Sequence, residues 1–312
     1  MKNFADQLIE AVKKKGNAIC VGLDPRLDQI PKFNVENHIK EGGSPTEIAA
    51  RSILEFNKGI IDAVADIVPV CKPQVAFYEI FGADGMRAYE HTLKYAKEKG
   101  LVTIADVKRN DIGSTAAAYA RAYLGEMELF EGEDEVVMPI FDADSVTINP
   151  YLGWDGIKPF VEEARKYKKG LFVLVKTSNP SSGDLQDLEL KEGGSIYEVV
   201  GNLVDSWGGE DIGESGYSFV GAVVGATYPQ QAKELRRMMP NSIFLVPGYG
   251  AQGGGAEDVK PCFNKDGLGA IVNSSRGIIF AYEKLEGFAP EAFADAARQA
   301  CEEMRDDLAS IF

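Results

Sequence analysis

The sequence predicts an α/β protein, a single (β/α)8 barrel with inserted loops, on three observations. Eight short apolar runs rich in β-branched residues alternate with longer amphipathic stretches along the whole chain. The runs are nearly continuous in apolar character, as expected of parallel strands buried on both faces. The length, 312 residues, also suits a fold that extends to about 250 residues and beyond as one unit. Strands alternating with helices pair in parallel and close most economically into a barrel, with an open doubly wound sheet as the alternative. No linker, repeat or low-complexity tract interrupts the pattern, so residues 1–312 read as one catalytic domain.

The elements follow in order. Asn3 can cap an opening helix whose face is Phe4, Leu8, Ile9 and Val12, and Gly16 stops it. Strands are expected at residues 18–24, 67–72, 102–108, 145–149, 171–177, 219–226, 243–247 and 269–273. The clearest helices lie at 46–65, 83–99, 155–167, 196–207 and 229–239, with a closing one at 291–311. Met86, Tyr89, Leu93 and Ala96, for example, form one apolar helical stripe. Three stretches read as insertions: a polar one at 25–45, an acidic one at 125–135 and a long polar connection at 178–194. The last is either a solvated loop or a lid, because long βα loops of a barrel surround its mouth.

Composition narrows the function. With 45% hydrophobic and 26% charged residues the chain can bury a large core. No run approaches the roughly 18 apolar residues of a membrane helix, and the charged N-terminus is not a signal peptide. Cys20, Cys71, Cys262 and Cys301 form no CxxC pair, which suggests reduced thiols and a cytoplasmic protein. The net charge of −15 disfavours a nucleic-acid partner but not a small anionic ligand held by local cations. Two histidines, His38 and His91, leave little for a Ser-His-Asp hydrolase or a histidine-rich metal site.

Catalytic groups of a barrel come from the C-terminal ends of its strands. The first strand ends in Gly22-Leu23-Asp24-Pro25, the second in Cys71-Lys72-Pro73, and the third in Asp106-Val107-Lys108, followed by Arg109, Asn110 and Asp111. Strand alternation puts Asp106 and Lys108 on one side, and if that side is inward they share a low-dielectric cavity with Lys72. A structural ion-pair layer is the plainer reading. Charged lysines held by carboxylates suit electrostatic stabilisation of a developing anion and proton delivery to it, rather than nucleophilic attack.

A second constellation follows the seventh and eighth strands: Pro247-Gly248-Tyr249-Gly250-Ala251-Gln252-Gly253-Gly254-Gly255, then Asn273-Ser274-Ser275-Arg276-Gly277. Glycines allow close backbone approach to an anion, Arg276 adds a forked cation, and these loops are the usual phosphate grip of a barrel. The alternative is a tight loop without a ligand. The literal G-x-G-x-x-G is no dinucleotide fingerprint, because it does not open a βαβ unit. Lys13 to Lys15 and the acidic run of Glu131, Glu133, Asp134 and Glu135 read as solvated surface, and Lys176 is left unassigned.

The segment TIADVKRNDIGSTA, Thr103 to Ala116, resembles the signature of the orotidine 5′-phosphate decarboxylase family, with Asp-x-Lys-x-x-Asp as its core. The resemblance runs from Gly22-Leu23-Asp24 through Lys72 and the glycine loop to Arg276, and KTSNPSSGDLQ is similar to the longer bacterial branch. It implies conversion of orotidine 5′-phosphate to uridine 5′-phosphate and CO2, with no metal or organic cofactor. It also implies that Lys72, Asp106, Lys108 and Asp111 form an alternating array, with Lys108 protonating the C6 carbanion. Asp24 and Lys72 would bind ribose hydroxyls, Ser178 the pyrimidine edge, and Gln252 with Arg276 the phosphate, Pro247 packing nearby. Asp111 and Thr115 would reach a neighbouring subunit's site, implying a homodimer. A Mg2+-dependent sugar-phosphate decarboxylase or aldolase of the same superfamily is the rival, and would want an acidic ligand where this chain has Lys72.

Overall fold

The structure, a computed structural model, describes residues 2–130, 136–250 and 253–312. Barrel strands β1 (Ile19–Leu23), β2 (Val70–Pro73) and β3 (Val102–Arg109) are followed by a short antiparallel pair, β4 (Glu126–Leu129) and β5 (Val136–Pro139). The barrel resumes with β6 (Ser145–Ile148), β7 (Gly170–Lys176), β8 (Ser218–Val224), β9 (Ser242–Val246) and β10 (Ala270–Ser274). It closes in the order β1-β10-β9-β8-β7-β6-β3-β2. Eight of the predicted strands are therefore the eight barrel strands, within a few residues at each end. The acidic stretch at 125–135 differs from expectation in part. Its beginning pairs with 136–139, while Glu131, Glu133, Asp134 and Glu135 lie outside the described residues.

The chain forms two compact units, one of Met1–Glu10, Lys108–Asn273 and Ser310–Phe312, the other of Ala11–Val107 with Ser274–Ala309. In the second, Cys20 pairs with Val70 and Gly22 with Lys72, setting the register of β1 on β2. Helix α3 (Pro45–Val64) starts where Ser44 and Glu47 cap each other and Pro45 presets the first turn. It buries Ile53, Phe56 and Ile60, and Phe56 stacks between Phe280 and Phe293 at 5.6 and 5.0 Å. The stripe foreseen at 86–96 lies on α5 (Gly82–Glu98), with Tyr89, Leu93 and Ala96 buried. The polar insertion at 25–45 contains an unforeseen helix, α2 (Lys32–Glu41), whose buried His38 puts Nδ1 2.9 Å from Glu41.

In the first unit β6 to β9 run side by side, with Thr147 opposite Phe172 and Val173 opposite Ala222. Asn3 accepts from the Asp6 N–H at 2.9 Å, the expected cap of α1 (Phe4–Lys15). Phe4 then meets Phe172 edge-on, and a Cβ at Gly170 would lie 2.0 Å from the Phe4 ring, so this position needs glycine. Among the described residues no helix is long and apolar enough to cross a membrane.

Candidate active site

Lys72 stands one residue before the end of β2, and Asp106 lies in β3, its parallel neighbour. The Lys72 ammonium donates to Asp106 Oδ2 at 2.7 Å, with both side chains under a tenth exposed. Burial alone would strip the proton from such a lysine. Burial is the largest influence, but the charges of Asp106 and Asp24 and the hydrogen bond outweigh it, holding the Lys72 pKa above its usual value. The neighbouring Cys20 thiol is pushed up to about 12 by burial, so it is neither an anion nor a nucleophile here.

The same unit supports Asp24 and Asp106 through the backbone. The Asp106 carbonyl accepts from the Val75 N–H at 3.2 Å. The buried Tyr78 hydroxyl donates to the carbonyl of Leu23, the residue before Asp24, and accepts from Asn57 Nδ2 at 2.8 Å. Sequence reading did not single out Tyr78 or Asn57. A tyrosine in an otherwise ordinary helical stretch carries no local mark of the carbonyl it will meet.

Lys108 departs from the expected alternation. Its φ is +47°, left-handed backbone for a residue with a side chain, and the residue is exposed. That φ interrupts, inside β3, the extended backbone on which strict alternation depends. The Lys108 N–H is held by Thr147 Oγ1 at 3.0 Å, which braces the turned peptide. Asp111, half-buried, accepts at Oδ1 from the Ile112 N–H at 2.8 Å. Thr115 lies exposed on α6 (Gly113–Leu124), a helix not among the clearest in the sequence.

Ser178 follows β7 and is half-buried. Its carbonyl accepts from the Thr227 hydroxyl at 3.1 Å, and a Cβ at Gly225 would lie 2.8 Å from the Ser178 backbone. The connection at 178–194 includes a 3-10 turn, Pro180–Asp184. Lys176, unassigned from sequence, is fully buried against Asp187 at 2.6 Å.

The glycine loop is half-buried at Pro247, whose carbonyl accepts from Ala226 N–H at 2.9 Å. Gly250, Gly253 and Gly254 donate their N–H groups to carbonyls of the same loop at 2.7, 2.8 and 3.2 Å. These three amides are engaged in a tight turn, so the expected backbone cradle does not extend to them. Gln252 lies outside the described residues. Arg276 is exposed at the first residue of a short helix (Arg276–Ile279).

The protein is thus a parallel (β/α)8 barrel that carries a buried lysine–aspartate pair on neighbouring strands. Residues 17–287 match the orotidine 5′-phosphate decarboxylase / HUMPS family. The chain is 48% identical over 283 residues to the orotidine 5′-phosphate decarboxylase of Caldicellulosiruptor bescii, covering 91% of each. It is 46% identical over 312 residues to that of Rhodopirellula baltica, covering 99% of each. The solved structure of Leishmania donovani OMP decarboxylase superposes with a TM-score of 0.71 at 30% identity, covering 99% of this chain and 98% of that one. The chain belongs to the orotidine 5′-phosphate decarboxylase / HUMPS family and is a carboxy-lyase.

Proposed function

We propose that the protein decarboxylates orotidine 5′-phosphate to uridine 5′-phosphate, and that residues 1–312 act as one catalytic barrel in the cytoplasm. The observation that carries this reading is the Lys72–Asp106 pair, buried and 2.7 Å apart, in a chain of this family. Loss of CO2 from a vinylic ring carbon leaves an anion that the ring delocalises poorly. Fixed cations in a site shielded from water are the direct remedy.

Lys72, Asp106, Lys108 and Asp111 form the working array in this reading. Asp106 lies beside the departing carboxylate, while Lys108 stabilises the C6 carbanion and delivers its proton. Lys72, held charged by Asp106 and Asp24, meets ribose hydroxyls with Asp24. Ser178 reads the pyrimidine edge, and Arg276 with Gln252 holds the phosphate beside Pro247. In this reading Arg276 brings a forked cation to the phosphate. Asp111 and Thr115 act across a homodimer in a neighbouring subunit's site.

The test is the pyrimidine absorbance change on adding orotidine 5′-phosphate to the purified protein with EDTA present. Rapid conversion to uridine 5′-phosphate is expected. No conversion, with Mg2+-dependent turnover of 3-keto sugar phosphates instead, would overturn the reading. For the dimer, mixing Asp111→Ala and Lys72→Ala subunits should restore activity. No recovery after confirmed subunit exchange would confine Asp111 to its own chain.

A further inference from the structure

The connection after β7 is anchored by a charge pair that the proposed chemistry does not use. Lys176, the last residue of β7, has a side chain with no solvent exposure. Its ammonium donates to Asp187 Oδ1 at 2.6 Å and to Ser182 Oγ at 3.2 Å, and lies 4.3 Å from the centre of the Tyr228 ring. Asp187 and Ser182 both come from the connection itself. The Thr177 N–H donates to Gln186 Oε1 at 3.0 Å, and Gln186 Nε2 donates back to Thr177 Oγ1 at 2.8 Å. From the β8 side, hydroxyls of Thr227 and Tyr228 donate to the carbonyls of Ser178 and Asn179 at 3.1 and 3.2 Å. Ser178 is therefore held on both sides along the chain, with Gly225 against its backbone.

An ion pair with one fully buried partner contributes little net stability over apolar residues of similar volume, yet it imposes a single geometry on the groups that form it. Here one end is a barrel strand and the other is the loop that carries Ser178. We propose that Lys176 and Asp187 are positioning residues for recognition of the base, setting Ser178 where it meets the pyrimidine edge. This rests on the reading of Ser178 as the base contact.

The experiment compares binding of uridine 5′-phosphate with binding of ribose 5-phosphate, which shares the phosphate and sugar but has no base. The wild-type protein should prefer the nucleotide. Lys176→Met and Asp187→Asn should each weaken uridine 5′-phosphate about tenfold and raise KM for orotidine 5′-phosphate alike, the scale of a contact coupling. Ribose 5-phosphate should stay within about twofold, and the double variant should lose no more than the worse single one. If Lys176→Met does not fold, Asp187→Asn carries the test, because its side chain is 40% exposed. Equal weakening of both ligands, or of neither, would overturn the positioning role while leaving the substrate reading intact. A wild-type protein that does not prefer the nucleotide overturns the base contact itself, and the proposal with it.

Discussion

Two buried cations in this protein meet opposite electrostatic fates. Lys72 faces the Asp106 carboxylate, and its pKa is held above the usual value despite burial. Arg236, in α9 (Pro229–Met238), is 7% exposed and packs 3.6 Å from the centre of the Phe244 ring. It donates to the carbonyls of Met239, Cys262 and Ser242 at 2.9 Å and of Gly269 at 2.8 Å. Burial brings its pKa down to about 10, which still leaves it charged at neutral pH. Carbonyl dipoles accept from all three guanidinium nitrogens but carry no net charge to offset desolvation; a carboxylate does. The difference separates a cation paired with a carboxylate, the one proposed to serve the chemistry, from one that ties loop ends together.

The sharpest way to break the comparison is to neutralise each side. Asp106→Asn and Lys108→Ala should each lower kcat by about 10³-fold or more, since a preorganised charge acts mainly on the transition state. Steady-state kinetics on folded variants check this, and equal modest losses at Asp106, Lys108 and Arg276 would break the assigned roles. Arg236→Met should instead cost about 3 kcal/mol of stability by leaving buried carbonyls unpaired, with kcat unchanged in the folded fraction. Denaturant unfolding followed beside activity separates the two effects.

Arg276→Ala, at an exposed site, should raise KM by roughly 10- to 100-fold and affect kcat less, as expected when a charged phosphate contact is lost. The smallest effect concerns pH. Because the folded Lys72 pKa lies above the unfolded value of about 10.4, its stabilising contribution is complete below that pH and is lost only as pH rises through the folded value. Unfolding free energy and kcat should therefore show no Lys72 titration between about pH 7 and 9. A basic limb in that window, abolished by Lys72→Arg, would contradict the raised pKa.

Much of the fold was legible because its signals are local. Buried parallel strands are apolar along their length, and the helices of 45–64, 82–98 and 229–238 carry their stripes and starts within their own residues. The helix at 32–41 was missed because its amphipathic pattern is weak and its buried positions include Asn34 and His38. Lys72 and Asp106 were legible because charges at the ends of apolar strands are costly unless they serve a purpose. Lys176 has the same placement, but its partner Asp187 lies eleven residues on in a polar stretch, so nothing nearby distinguished it from a brace.

By itself the sequence determined the alternation of strands and helices, the charged strand ends and the signature that marks the family. Those are properties of composition and spacing, which short-range physics reads directly. Only the tertiary structure decided that Lys108 takes a φ of +47° within β3, that amides of the glycine loop turn inward, and that Lys176 holds the Ser178 loop. Each depends on a partner or a backbone angle set by packing between distant segments. Such contacts have no period and no fixed spacing along the chain.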